Sequence, residues 1–272
     1  MKSALFTGAA VTLGLLMASV GSAQASNAHQ PTAQARQHGI VRAGDAYMGW
    51  KNNTTTTAAE PAPMSTTATV EGIDVSSHQG NVDWAGQWNA GRRFAYTKAT
   101  EGNYYTSPYF AQQYNGSYNV GMIRGAYHFA TPNDSSGANQ ATYFLAHGGG
   151  WSKDGKTLPG ALDIEYNPYG ATCYGLSQAS MVNWIRDFAS TYKAKTGRDV
   201  VIYSTTDWWT TCTGNTTAFN TTNPLWVARY SSTVGTLPGG WPFYTIWQYS
   251  STPIDQDRFN GDYTRLQALA NG

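Results

Sequence analysis

Short apolar runs of strand length recur from residue 71 to the end of the chain, and longer polar segments lie between them. The runs are rich in β-branched and aromatic residues, a composition typical of β-strands. They are Gly72–Val75, Phe94–Lys98, Ile123–Phe129, Ala161–Glu165, Val200–Tyr203, Leu225–Arg229 and Tyr244–Tyr249. The pattern predicts a sheet built from many short strands.

Segments of helical length separate the early strands. The clearest helical pattern follows Ser177, where apolar residues recur at spacings of three and four until Gly197 ends the pattern. Its apolar positions are Met181, Trp184, Ile185, Phe188 and Tyr192. Strand and helix therefore alternate, which predicts a parallel sheet, arranged either as an open doubly wound sheet or as an α/β barrel.

The pattern changes after Tyr203, where the intervals between strands shorten and the helical periodicity fades. We therefore expect hairpins to join the last strands. Residues 71–272 are also short for a full eight-fold βα repeat, which typically needs about 250 residues. A barrel that is α/β at first and mostly β at the end fits the pattern best.

The N-terminus has the layout of a secretion signal. Lys2 precedes the apolar stretch Ala4–Val20, and the small residues Ala23 and Ala25 follow it. This layout predicts a signal peptide over residues 1–25, and the stretch is too short for a good membrane anchor. We therefore expect a secreted protein that has no membrane association after processing.

Residues 26–70 are polar and contain a run of threonines and several prolines, with little apolar periodicity. This composition predicts a propeptide or flexible linker with little fold of its own. The alternative is an additional strand or hairpin around Val41–Trp50.

Charge is scarce, since only 12% of the residues are charged and the formal net charge is +1. Such a balance provides no basic surface for nucleic acid or an anionic bilayer. The 10 Trp and 18 Tyr suit a neutral polymer such as a glycan, and they equally suit aromatic packing. Cys173 and Cys212 are the two cysteines, and in an exported protein they predict one disulfide.

Two carboxyl residues end the fourth apolar run. Asp163 and Glu165 are two positions apart, so they point to the same face of a strand, with backbones about 7 Å apart. Burying two acids side by side is costly unless one keeps its proton, and an acid that is neutral near neutral pH is what general acid catalysis needs. The alternative is an ordinary set of ion pairs or hydrogen bonds at the strand end.

Three further acids lie near strand ends. Asp74 ends the first apolar run, where it acts either in the site or as a loop-capping residue. Asp255 and Asp257 form a second spaced pair near the C-terminus. They are either part of the site or structural, with Asp257 pairing with Arg258 or Arg265.

The histidines do not have the spacing of a metal site. His78, His128 and His147 are far apart, and no Cys-x-x-Cys, Gly-x-Ser-x-Gly or phosphate-binding glycine motif occurs. We therefore predict no metal and no cofactor. His128 is expected to be a hydrogen-bonding residue in the wall beside Tyr127 and Phe129.

Several long motifs together resemble a known family. They are Gly72–Gly80, Phe94–Gly102, Gly125–Phe129, Ala161–Glu165, Val201–Ser204, Leu225–Tyr230 and Trp247–Ser250. In this order they resemble the Ch-type lysozymes of glycoside hydrolase family 25, especially the secreted bacterial N-acetylmuramidases. The resemblance covers residues 71–272 and implies a flattened, irregular TIM-like β/α barrel, with about five βα units followed by mostly β strands.

The resemblance also implies roles for individual residues. Glu165 matches the general acid, Asp163 the carboxylate beside it, and Asp74 an acid that lines the site. Asp257 matches an aspartate after the last strands, although the choice between Asp255 and Asp257 stays open. The residues expected to line the glycan cleft are Tyr127, Tyr203, Trp226 and Gln248.

The implied activity is hydrolysis of the β-1,4 bond between N-acetylmuramic acid and N-acetylglucosamine in peptidoglycan glycan strands, by a monomer. Either Asp163 polarises the substrate's own N-acetyl group and the anomeric configuration is retained, or Asp74 or Asp163 activates water and it is inverted. A family 18 chitinase is disfavoured because Leu158 and Ala161 stand where its first two acids belong. A non-catalytic glycan-binding module is the other alternative.

Overall fold

The computed structural model describes Met1, residues 29–52 and residues 68–272. The helices in this part of the chain are α1 (Ala33–Gln37), α2 (Trp84–Asn89), α3 (Phe110–Asn119), α4 (Gly137–Ala146), α5 (Gln178–Thr196), α6 (Thr206–Thr213) and α7 (Tyr263–Asn271). The strands are β1 (Val70–Val75), β2 (Phe94–Glu101), β3 (Tyr105–Thr106), β4 (Ile123–Phe129), β5 (Ala161–Asp163), β6 (Val201–Thr205), β7 (Leu225–Ala228), β8 (Ile246–Ser250) and β9 (Gln256–Phe259).

The sheet closes into a barrel of eight strands. Its neighbours run in the order β1, β2, β4, β5, β6, β7, β8, β9, and β9 pairs with β1 again. All of these pairings are parallel except those of β9, which is antiparallel to both β8 and β1. The short strand β3 adds to β2 outside the ring. The structure therefore has the barrel and not the open doubly wound sheet.

Helices accompany the first part of the barrel only. Each of β1, β2, β4, β5 and β6 is followed by a helix before the next barrel strand, whereas β7, β8 and β9 follow one another without an α-helix. The expected hairpin occurs between β8 and β9. The expectation of a hairpin is wrong for β7 and β8. These strands are parallel, so residues 229–245 must return to the end of the barrel where β7 began before β8 can start.

The alternation of side chains along each strand separates two apolar layers. In β6, Val201 and Tyr203 lie in the cluster that fills the barrel, whereas Ile202 lies in the cluster between the sheet and the helices. In β5, Leu162 faces outward in the same way, so its neighbour Asp163 must point inward. Asp163 is also in register with Tyr203 of the next strand. The strand period therefore places the predicted acid inside the barrel mouth.

Helix α5 confirms the clearest helical pattern in the sequence. Ser177 caps its first turn by accepting a hydrogen bond from the backbone N–H of Ser180, 3.2 Å away. Gly197 ends it with a left-handed φ of 76°, which glycine adopts without strain. The five apolar positions of the pattern are all buried against the sheet and α4.

The disulfide predicted between Cys173 and Cys212 is present, with the two Cα atoms 5.3 Å apart. It ties the loop after β5 to α6. The residues are separated by 39 positions, so the crosslink contributes about 3–4 kcal/mol in the chain-entropy description.

The N-terminal part of the chain differs from the expectation. The predicted signal peptide falls on residues 1–25, which apart from Met1 lie outside the described residues. Residues 29–52 were expected to have little fold, yet Thr32 caps helix α1 and the following residues pack on the barrel mouth. Between residues 41 and 50 the chain forms neither a strand nor a hairpin, because its polar backbone groups bond to the barrel. Among the described residues, no helix is both long and apolar enough to cross a membrane.

The contact between α4 and α5 generates a stability prediction. A Cβ atom on Gly137 would lie 2.3 Å from the carbonyl oxygen of Trp184 and 2.5 Å from the backbone nitrogen of Phe188. Because both atoms belong to a helix backbone, the two helices must separate, and we expect Gly137→Ala to lower the free energy of unfolding by about 1–3 kcal/mol. Urea unfolding of the full chain measures this change in the free energy of unfolding.

Gly150→Ala is the matched control, since a Cβ at Gly150 meets nothing within 4 Å. We expect this variant to unfold within about 1 kcal/mol of the wild type. Equal unfolding midpoints for the two variants would contradict the close helix contact.

Candidate active site

Five carboxyl groups gather at the barrel end where the parallel strands finish. Asp74 lies near the end of β1, Asp163 ends β5, Glu165 follows two residues later, and Asp255 and Asp257 come from the start of β9. Each is at most 4% exposed. The barrel therefore unites all the acids that the sequence singles out, including both members of the C-terminal pair.

Asp163 and Glu165 are in contact with each other. Burial raises the pKa of Asp163 well above its usual value, and the charge of Glu165 raises it further. Burial also raises the pKa of Glu165 from 4.5 to about 8. Two contacting carboxyl groups in such a site cannot both ionise near neutral pH, so the pair keeps a proton. In the described part of the chain, neither carboxyl forms an ion pair, and Glu165 accepts a hydrogen bond from a backbone N–H.

Asp74 is held by an amide that is itself held by two tyrosines. The side-chain N–H of Gln248 donates to Asp74 Oδ2 over 2.7 Å. The hydroxyl groups of Tyr203 and Tyr230 donate to Gln248 Oε1, over 2.7 and 3.1 Å. Burial raises the pKa of Asp74 to about 7, although the bond from Gln248 lowers it. The network orients Asp74 and presents it to the mouth.

Asp257 projects inward from the antiparallel strand β9, in register with Gln248 on one side and Gly72 on the other. The indole N–H of Trp226 donates to Asp257 Oδ1 over 3.0 Å, and Asp257 also contacts Asp74. Pairing of Asp257 with Arg258 is not observed, because Arg258 bonds Glu71 over 2.8 Å.

Asp255 is buried beside Tyr230, and burial raises its pKa well above the usual value. The two C-terminal acids are therefore both in the site, with different partners. Asp257 contacts the Asp74 carboxyl and the barrel floor, whereas Asp255 faces Tyr230.

Tyr127 and His128 lie on opposite sides of β4. Tyr127 is fully buried inside the barrel, in the cluster that contains Tyr203 and Trp226. His128 points outward, where its ring nitrogens bond Thr100 at 2.8 Å and the amide of Gln140 at 2.9 Å. Burial lowers the pKa of His128 to about 3, so the ring is neutral. His128 is a hydrogen-bonding wall residue as predicted, on the side facing the helices.

A buried ion pair at the end of β2 escaped the sequence analysis. Lys98 Nζ lies 2.5 Å from Glu101 Oε2, and neither side chain is exposed. The hydroxyl groups of Tyr104 and Tyr169 donate to the other Glu101 oxygen. The sequence gives no signal for this pair, because residues three positions apart point to opposite faces of a regular strand. The irregularity between Lys98 and Thr100 lets the two side chains meet. Tyr230 was also missed, because it lies beyond the end of β7 in a loop.

Residues 29–52 cover these groups. The backbone N–H of Gly49 donates to Glu165 Oε1 over 2.6 Å. Lys98 Nζ donates to the carbonyl oxygens of Gly44, at 3.1 Å, and Ala46. The side chain of Met48 is fully buried in the cluster that fills the barrel.

The site combines a proton-holding carboxyl pair, further buried acids and a floor of tyrosine and tryptophan, at the strand ends of a closed α/β barrel. Enzymes of this architecture place their chemistry at that end of the barrel. A protonated carboxyl beside a second acid is the arrangement with which glycosidases cleave a sugar–oxygen bond. The fold and the site together define a barrel glycoside hydrolase.

Comparisons with known proteins identify the family. The profile of Glycosyl hydrolases family 25 matches residues 73–257. Lysozyme M1 of Streptomyces globisporus is 53% identical over 213 residues, covering 75% of this chain and 72% of that protein. The N,O-diacetylmuramidase of Chalaropsis sp is 51% identical over 211 residues, covering 75% of this chain and 100% of that protein.

A solved structure agrees with the sequence relatives. The muramidase from Acremonium alcalophilum is 61% identical, with a TM-score of 0.74, and the match covers 75% of this chain and 99% of that chain. The chain belongs to glycosyl hydrolases family 25, as the sequence motifs indicated, and it is a glycoside hydrolase.

Burial of Glu165 predicts a pH-dependent stability. Because its pKa is raised from 4.5 to about 8, the folded chain holds this proton more tightly than the unfolded chain. The contribution of Glu165 to the free energy of unfolding is therefore fully present below about pH 4.5 and is lost as the pH rises towards 8. We expect Glu165→Gln to be more stable than the wild type by about 1–3 kcal/mol at pH 8, and the difference to shrink towards pH 5.

Urea unfolding of the full chain between pH 5 and pH 8 measures the stability difference between Glu165→Gln and the wild type. Asp199→Asn, which removes a carboxyl that pairs with Lys193 at the surface, is the control for loss of a charge as such. A stability difference for Glu165→Gln that stays constant with pH would contradict the role of burial.

Proposed function

We propose that this lysozyme hydrolyses the β-1,4 bond between N-acetylmuramic acid and N-acetylglucosamine in the glycan strands of peptidoglycan. The observation that carries the proposal is the buried, contacting pair of Asp163 and Glu165, which keeps a proton at the strand ends of a family 25 barrel. The relatives with about half or more of their residues identical are named as lysozymes and muramidases.

Glu165 is the general acid of the proposed reaction. In its protonated form it gives the proton to the glycosidic oxygen as the bond to the departing sugar breaks. The resulting carboxylate then takes a proton from the water that completes the hydrolysis. Its raised pKa supports this role, since an ordinary glutamate would have lost its proton at neutral pH.

Asp163 is proposed to orient and polarise the 2-acetamido group of the substrate. The acetamido oxygen then attacks the anomeric carbon, and water opens the cyclic intermediate with net retention. No backbone N–H, amide or hydroxyl group in the described part of the chain donates to either Asp163 oxygen, so beside its contact with Glu165 this carboxyl has room to accept a bond from the acetamido N–H. In the alternative, Asp74 or Asp163 activates water directly, with inversion.

The other predicted substrate residues form the floor beneath the acids. Tyr203 and Gln248 orient Asp74, and Trp226 orients Asp257. We propose that these groups and Tyr127 line the innermost part of the glycan site, where aromatic faces stack on sugar rings.

Several finer features stay predictions. They are secretion directed by residues 1–25, processing before the catalytic domain at 71–272, a monomeric enzyme, and a flattened, TIM-like barrel cross-section. Peptidoglycan strands are the proposed partner, with no role for nucleic acid, a membrane or a cofactor.

Replacement of Glu165 tests the proposal. We expect Glu165→Gln to slow the clearing of bacterial cell walls by about 10²–10⁴-fold, because the amide cannot donate the proton that bond cleavage needs. Because residues 29–52 lie over Glu165, each protein carries a protease site inserted between residues 52 and 68 and is cut before the assay. Turbidity and the release of reducing muramic acid ends are measured.

The surface variant Asp199→Asn is the matched control and should clear walls at the wild-type rate. Undiminished clearing by Glu165→Gln would contradict the assignment of the acid. New reducing ends on chitin in place of peptidoglycan would favour a chitinase, and binding without clearing by the wild type would favour a glycan-binding module.

The stereochemistry tests the role of Asp163. Substrate assistance retains the configuration, so we expect NMR spectra recorded within the first turnovers to show the β anomer of the new reducing sugar. Asp163→Asn should reduce the rate strongly because it weakens polarisation of the acetamido group. An α anomer formed first would contradict the substrate-assisted route and favour direct attack by water.

A further inference from the structure

The segment of residues 29–52 lies across the barrel mouth. It contacts residues from the loops that follow β1, β2, β4, β5 and β7, which are His78, Tyr104, Asp134, Tyr166 and Tyr230. Since these loops all leave the barrel at the carboxyl ends of the strands, the segment lies on the face that holds the acids.

Its central contact is with the proposed general acid. The N–H of Gly49 donates to Glu165 over 2.6 Å, and the carbonyl oxygen of the same residue lies 3.4 Å from the Tyr230 hydroxyl oxygen. The side chain of Met48 enters the barrel beside Tyr127 and its aromatic neighbours. One carboxylate oxygen of the proposed general acid is therefore already bonded to a peptide N–H.

A second contact uses the buried ion pair of β2. Lys98 donates to the carbonyl groups of Gly44 and Ala46, and Glu101 accepts the Gly44 N–H over 3.2 Å. The peptide backbone thus supplies the donors and acceptors that the hydroxyl and acetamido groups of a sugar chain would offer to the same charges.

Aromatic contacts hold the rest of the segment. The ring of Tyr47 stacks on His78, with centroids 4.7 Å apart. Trp50 packs against Phe129 and donates its indole N–H to the carbonyl of Tyr166 over 2.9 Å. Several loops are therefore tied together by one continuous stretch of chain.

This arrangement is incompatible with a bound glycan. With the segment in place, Asp163 and Glu165 are both 0% exposed, so a polysaccharide chain cannot reach them. The family barrel also does not need the segment, because 75% of this chain accounts for 99% of the Acremonium muramidase and 100% of the Chalaropsis protein. We infer that residues 29–52 are a built-in inhibitor that occupies the glycan cleft, and that the enzyme acts only after they leave.

This role of the segment rests on the proposed function, and its connection to the barrel indicates how release would work. Residues 53–67 connect the segment to the barrel, and a connection of this length keeps a bound segment at a local concentration on the order of millimolar. A cut between residues 52 and 68 removes this high local concentration. The segment then dissociates on dilution or is displaced by the glycan, and activation is proteolytic.

Gly49 allows the segment to be weakened without any change in the barrel. Its φ is +79°, and an added Cβ would lie 2.3 Å from the Tyr230 hydroxyl and 2.7 Å from Gln248 Oε1. Both the backbone conformation and the lack of space therefore require glycine. Val41, by contrast, is 65% exposed, so Val41→Thr is a control on the same segment.

The first experiment measures cell-wall clearing by the full chain carrying the inserted protease site. We expect the uncut wild type and uncut Val41→Thr to clear walls at least about tenfold more slowly than the same proteins after cutting. Uncut Gly49→Val should approach the rate of the cut enzyme, because strain and overlap expel the segment. An uncut wild type as active as the cut enzyme would overturn the inference.

The second experiment does not depend on catalysis. A fluorescently labelled peptide of residues 29–52 is titrated with the cut, segment-free barrel, and anisotropy reports binding. We expect binding that soluble peptidoglycan fragments compete away, that weakens at least about tenfold in the Gly49→Val peptide, and that is unchanged in the Val41→Thr peptide.

The two experiments separate the inference from the proposed function. A cut enzyme that clears no walls but binds the wild-type peptide in a Gly49-dependent manner would contradict the lysozyme proposal and support the segment as the occupant of the cleft. A wild-type peptide that does not bind the barrel, or a Gly49→Val peptide that binds as tightly as the wild-type peptide, would overturn the inference.

Discussion

The desolvation of several carboxyl groups in one barrel mouth is the constraint on which the rest of this structure depends. Asp74, Asp163, Glu165 and Asp257 are buried together, and burial is the largest influence that raises each of their pKa values. Such groups cannot all be charged near neutral pH, so the site stores protons. The proposed general acid needs such a retained proton, and the same burial lowers the free energy of unfolding as the pH rises.

Neutral hydrogen-bond donors hold two of these buried acids. Gln248 holds Asp74, and Trp226 holds Asp257, each by one N–H. Lys98 lowers the pKa of both members of the central pair, while its own direct partner is Glu101. A cation in direct contact with Asp163 or Glu165 would favour the ionised carboxylate, whereas neutral donors orient an acid without adding a charge.

The aromatic residues serve mainly as structure. Trp208 and Trp209 are fully buried between the sheet and the helices, and glycines make room for rings inside the barrel. A Cβ on Gly125 would lie 2.3 Å from the ring of Tyr96. The high aromatic content therefore reflects packing in large part. Residues 29–52 add Trp50 to this packing, and their backbone bonds the buried Glu101 and Glu165.

The sequence by itself determined the local elements and the family, because strand and helix periodicities and long ordered motifs are properties of neighbouring residues. It determined the buried acids at 163 and 165 for the same reason, since the two-residue period of a strand sets their common face. Only the tertiary structure decided that β7 and β8 are parallel, that Lys98 and Glu101 face the cleft, and that Gly49 contacts Glu165. These depend on barrel closure and on contacts between residues that lie far apart in the chain, which no local pattern encodes.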